Sequence, residues 1–163
     1  MTEQNIINVY TDGACKNNQN NAKYAGIGVY FSDNDPRNIS EPLVGLIKTN
    51  NRAELMAIIR AIEQIIKNPP ILSKTIVILH TDSKYAYNCA TTWIHKWKQN
   101  NWKKSINKIK NIDLIQRLDQ LLESTKIIRF NHVYGHSGII GNEKADKLAN
   151  LGCTVGYRQP CFL

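Results

Sequence analysis

No apolar run in this 163-residue chain is longer than a few residues, which excludes a membrane-spanning helix. Cysteine is scarce. The four present (Cys15, Cys89, Cys153, Cys161) form no C-x-x-C pair and no metal-finger spacing, so they read as reduced intracellular thiols. The opening MTEQNIIN lacks a basic stretch leading into an apolar one, so no secretory signal is expected. Cys161-Phe162-Leu163 is one residue short of a prenylation box. These absences point to an intracellular, cytoplasmic protein without a membrane partner. Acid is also in short supply, with 13 Asp+Glu against 21 Lys+Arg and a net charge of +8. That sign suits a polyanionic partner, nucleic acid first. Repeats, low-complexity tracts and domain linkers are missing too, and the length suits one domain with an apolar core.

What is present alternates strand and helix patterns. Ile6-Ile7-Asn8-Val9-Tyr10 is β-rich and leads into Thr11-Asp12-Gly13, where the glycine is expected to turn the chain out of the sheet. Ala14 to Lys23 reads as a polar turn, Tyr24 to Phe31 as a second strand, and Leu43 to Ile47 as a short third. Gly26 and Gly28 suggest close packing against a neighbour. From Asn50 to Lys67, apolar residues recur at helical intervals, with Asn50 or Asn51 as cap and Asn68-Pro69-Pro70 as stop. Thr75 to Leu79 reads as a central strand, parallel to an earlier one because a helix precedes it. A helix from Ser83 to about Cys89, another from Asn111 to Ser124, a strand from Ile127 to Val133 and a short helix from Asn142 to Leu151 follow. The expected domain is therefore 1–151, α/β, with a poorly ordered tail over 152–163.

Asp12, Glu54, Asp82 and Asp146 each sit at a strand end or helix start. Taken singly, such acids are caps or surface charges. Strand ends and helix starts of an α/β sheet gather at one edge, and Asp12 and Asp82 follow parallel neighbours, so the set is expected to converge. Clustered carboxylates repel unless a hard cation neutralises them, and oxygen ligands without His or Cys favour Mg²⁺, or Mn²⁺, over zinc.

Thr11-Asp12-Gly13, Thr49-Asn50-Asn51-Arg52-Ala53-Glu54-Leu55, Thr81-Asp82-Ser83, and Gly135-His136-Ser137-Gly138 with Gly141-Asn142-Glu143-Lys144-Ala145-Asp146 stand in the order of a type 1 ribonuclease H. The chain resembles that family over roughly residues 6–151. The resemblance implies a five-stranded mixed sheet, three antiparallel strands and then parallel crossovers, flanked by helices. It implies an endonuclease that hydrolyses the RNA strand of an RNA–DNA hybrid, with two Mg²⁺ ions about 4 Å apart and products carrying 5′-phosphate and 3′-hydroxyl ends. Asp12, Glu54, Asp82 and Asp146 would hold the metal, and His136, on a mobile loop, would assist as a proton relay.

The same resemblance assigns substrate contacts. Cys15, Asn18, Asn50 and Asn51 match positions that touch the RNA strand, where the 2′-hydroxyl is read. The Trp/Lys section from Trp93 to Ser105 matches a basic protrusion that grips the DNA strand. There Trp97 meets deoxyribose, Lys96, Lys98 and Lys103 supply charge, and Thr49 and Asn111 form a phosphate pocket. Trp93 and Trp102 read as packing residues. No hybrid-binding domain precedes Ile6, which predicts modest processivity, and a monomer is expected. The competing readings are another nuclease on this sheet, such as a reverse-transcriptase-derived domain or a junction resolvase, and a catalytically dead hybrid-binding module. The protrusion argues for a free-standing enzyme, Gly-His-Ser-Gly argues against a resolvase, and the full set of acids argues against a dead module.

Overall fold

β-branched and aromatic residues build β1 (Asn5–Lys16), β2 (Tyr24–Tyr30), β3 (Ile39–Pro42), β4 (Thr75–Thr81) and β5 (Ile128–His132). The computed structural model describes residues 4–16, 24–72, 74–103 and 109–158. The strands form one sheet in the order β3-β2-β1-β4-β5, antiparallel among the first three and parallel from β1 to β4 to β5. The mixed five-stranded sheet expected from the sequence is therefore the one found.

Helix α1 (Asn50–Lys67) buries Leu55, Ile58, Ile59, Ile62 and Ile65 on one face of the sheet. α4 (Ile112–Ser124) packs beside it through Leu114, Ile115 and Leu118. The last helix, α5 (Ile140–Arg158), covers β1, β2 and β3 on the other face. Between β4 and α4 lie α2 (Lys84–Asn88), a π-helical turn over Cys89–Trp93, and α3 (Ile94–Gln99). No helix among the described residues is long and apolar enough to cross a membrane.

Several sequence expectations are corrected here. Gly13 does not turn the chain out of the sheet, because β1 runs on to Lys16 with Gly13 opposite Ile27. Its missing side chain serves close approach instead: a Cβ there would lie 2.6 Å from the Ala53 carbonyl carbon of α1. Gly28 does the same for α5, where a Cβ would lie 2.5 Å from the Ala149 amide nitrogen.

The third strand is Ile39–Pro42, not Leu43 to Ile47. Pro42 has no N–H to continue a ladder, Gly45 takes a positive φ, and of the apolar run only Leu43 is buried. Thr49, rather than Asn50 or Asn51, caps α1, its side chain accepting from the Arg52 amide at 3.2 Å. The expected end of the domain at residue 151 falls inside α5, where Gly152 and Cys153 are buried. Gly152 packs against the Glu41 backbone, and the Cys153 thiol donates to the Ala14 carbonyl at 3.3 Å. Residues 159–163, including Cys161, lie outside the described residues, as does Asn18.

Candidate active site

The register of two parallel strands makes the first contact of the site. Thr11 of β1 pairs with Thr81 of β4, so Asp12 and Asp82, the next residue of each chain segment, stand side by side. The Thr11 hydroxyl donates to the His80 carbonyl at 3.3 Å, tying the strands together just before the acids. On the opposite face, the close seat of α1 over Gly13 brings Glu54 to the same edge, one turn into its helix. One carboxylate oxygen from each of Asp12, Glu54 and Asp82 lies within 4.8 Å of the others. Asp146, from the second turn of α5, stands against Asp12 from the far side. Its carboxylate accepts from the Asn150 amide at 3.1 Å.

The four acids line one cavity of about 230 Å³ together with Gly13, Asn50, His136, Asn142 and Glu143. His136 is exposed in the left-handed region at φ 55, on the loop that enters α5. Gly135 keeps that loop close to Asp82, since a Cβ on it would stand 3.0 Å from Asp82 Oδ2.

Burial and crowding decide the charge state. Asp12 is 6% exposed, and desolvation first, then the charges of Asp82 and Asp146, push its pKa up to about 8. Glu54, 3% exposed, is raised well above the ordinary carboxylate range by burial first and by Asp12 next, with the Gly13 amide opposing. Glu54 Oε2 is buried and has no hydrogen-bond partner. A carboxylate oxygen in that condition costs free energy unless a proton or a cation meets it. The donor set is all oxygen, as a hard divalent ion requires.

Among the predicted substrate contacts in the described residues, Asn50 alone lines this cavity. Cys15 lies three residues further along β1, half-buried, its thiol pushed up to about 11 by burial. Cys15, Cys89 and Cys153 are free thiols. Asn51 is exposed on the first turn of α1 beside the capping Thr49. Asn111, at φ 58, precedes α4 and donates to the Tyr85 hydroxyl at 3.0 Å. Its Oδ1 accepts from Arg52 at 3.3 Å, and Arg52 also pairs with Asp113 at 2.6 Å.

Trp93, Trp97 and Trp102 all pack in part against the core, and Trp93 and Trp97 sit 5.8 Å apart. Lys96 and Lys103 are exposed. Lys98 differs from them, because Asp119 at 3.2 Å and Glu123, both from α4, engage its ammonium. The Lys section contains no acid in sequence, but the fold supplies two from another helix.

Sequence reasoning passed over Arg52 and Asn142. Asn142 stands one turn before Asp146, on the same helix face. That spacing was the available signal, and an asparagine near a helix start reads first as a cap. In the structure Asn142 donates through Nδ2 to Asp82 Oδ2 at 3.0 Å.

Known proteins share this arrangement of strands. A ribonuclease H of Schizosaccharomyces pombe is 42% identical over 147 residues, 90% of this chain and 52% of that protein. A ribonuclease H of Methylobacillus flagellatus is 39% identical over 151 residues, 91% of each. The solution structure of the PFV RNase H domain has a TM-score of 0.73 at 28% identity, covering 94% of this chain and 97% of that one. The chain spans about half the length of the S. pombe relative and of its human, rat and mouse counterparts. The family model described as RNase H matches residues 4–154, a range that contains all four carboxylates and every strand of the sheet. By that match, and by the close likeness of a bacterial relative along nearly its whole length, the chain belongs to the RNase H family.

Proposed function

We propose that this chain is an endonuclease that hydrolyses the RNA strand of an RNA–DNA hybrid with the help of divalent cations. The observation that carries the reading is the desolvated carboxylate set, in which the buried Glu54 Oε2 has no partner. The residues present fit a hard ion, and Asp12, Glu54, Asp82 and Asp146 would hold it. When bound, a pair of Mg²⁺ ions supplies an activated water and stabilises the leaving 3′-oxygen, the chemistry that gives 5′-phosphate and 3′-hydroxyl ends.

The chain's own groups do the rest. Asp12 contributes from the middle of the set, between Asp82 and Asp146. His136, exposed at the cavity rim on a glycine-flanked loop, moves a proton to or from the departing product. Asn50, at the same rim, would meet a 2′-hydroxyl in the wide minor groove, with Asn51 next to it in the chain and Cys15 three residues past Asp12 on β1. Thr49, Arg52 and Asn111 offer donors to a phosphate of the DNA strand, and Trp97 with Lys96 and Lys103 forms the outer grip. The protein works as an intracellular monomer in this reading.

The test is a labelled RNA–DNA hybrid beside duplex RNA and duplex DNA, each with Mg²⁺ or with a chelator. Cleavage of the RNA strand of the hybrid alone, and only with metal, is expected. Equal cutting of duplex RNA or duplex DNA, or cutting in chelator, would overturn the reading.

A further inference from the structure

Among the described residues, two buried side-chain polar atoms lack a hydrogen-bond partner, Glu54 Oε2 and Asn142 Oδ1. Both residues line the same cavity. Asn142 is 4% exposed, so bulk water does not satisfy its oxygen. Its orientation follows from its other partner: Nδ2 stands 3.0 Å from Asp82 Oδ2, and an amide oxygen there would set two acceptors against each other. The unpaired oxygen is therefore a property of the site. A buried acceptor left without a donor costs about 1–3 kcal/mol in general, and the usual remedy is a water or a ligand.

The geometry points to Asn142 as a positioning residue of the nuclease site: its amide nitrogen engages one oxygen of Asp82 so that the other is turned to a cation, while its amide oxygen receives a water in the cavity. This rests on the proposed nuclease reading and deepens it. The amide is neutral, so it restrains Asp82 without competing for positive charge, as a Lys or Arg there would. Its place on α5, one turn before Asp146, couples the orientation of Asp82, just past β4, to the helix that carries the fourth acid. A single seat of α5 on the sheet then aligns two of the acids together.

Two variants test this. Asn142→Ala removes both the donor and the acceptor. Asn142→Asp keeps the size and an acceptor but loses the donor and sets a second carboxyl against Asp82, and melting in metal-free buffer identifies which variants are folded. Each is expected to lower kcat on the hybrid about 10–100-fold at saturating Mg²⁺, with KM changed less than about twofold. The second readout uses Mg²⁺ alone: the rise in melting temperature that the ion causes in the hybrid-free protein should fall by about half or more in Asn142→Ala.

A wild-type kcat in either folded variant, a loss confined to KM, or a full ion-induced rise in Asn142→Ala would overturn the role. Asp12→Asn, measured in parallel, should lose both the rise and the cleavage. If the unmutated protein shows neither, the nuclease reading itself falls and the role of Asn142 falls with it.

Discussion

The pKa of Asp12 is held up to about 8 by burial and by its acidic neighbours. A carboxyl whose folded pKa exceeds its unfolded value near 3.8 binds its proton more tightly in the native state. Its contribution to stability is therefore full below about pH 4 and is lost as the pH rises towards about 8. Asp12→Asn removes that titration. In metal-free buffer near pH 9 the variant should melt roughly 3–6 °C above wild type, and the difference should shrink towards pH 5. Its Mg²⁺-dependent cleavage should drop at least about 1,000-fold. Melting curves across pH check the first part and a hybrid cleavage assay the second; a variant that melts below wild type at pH 9 would contradict the account.

Elements carry a different lesson. The sequence marks α1 end to end because its apolar period is unbroken and Asn68-Pro69-Pro70 stops it, yet the cap is Thr49 and not the asparagines that follow it. Leu43 to Ile47 looked like a strand by composition, but pairing decides a strand, and β2 pairs with Ile39–Pro42. The basic section divides in the same way. Lys98 of α3 meets Asp119 and Glu123 of α4 and ties the two helices together, whereas Lys96 and Lys103 stand exposed.

Charge reversal should separate these jobs. Lys96→Glu and Lys103→Glu should each raise KM for the hybrid and reduce the salt dependence of binding by about one unit of slope. Lys98→Glu faces two acids and should lower the melting temperature with a smaller effect on the salt slope. Wild-type salt slopes in Lys96→Glu and Lys103→Glu, measured by titration at several ionic strengths, would show that these lysines do not grip the substrate.

At the scale of the whole molecule, ion binding and folding are linked through the carboxylate set. Without a cation, folding forces buried acids together and ionisation opposes it; with one, the ionised form is the favoured partner. Added Mg²⁺ should therefore raise the melting temperature more at pH 8–9 than at pH 5–6, because a proton occupies Asp12 at the lower pH and burial shifts Glu54 in the same direction. A calorimetric scan of the protein with and without Mg²⁺ at both pH values checks this, and a shift that is larger at pH 5 would reverse the sign.

How the acids meet shows where local information stops. Residue types and periods along the chain carry the alternation of strands and helices and the parallel crossover, since these depend on neighbours a few positions away, whereas the four carboxylates are singled out by the resemblance to a family. The extent of α5 past residue 151, the partners of Lys98, the reason for Gly13 and the hydrogen bond from Asn142 to Asp82 depend on surfaces brought together from distant segments. Burial and register exist only once the sheet and helices are packed, and it is burial that sets Asp12 and Glu54 apart from ordinary surface acids.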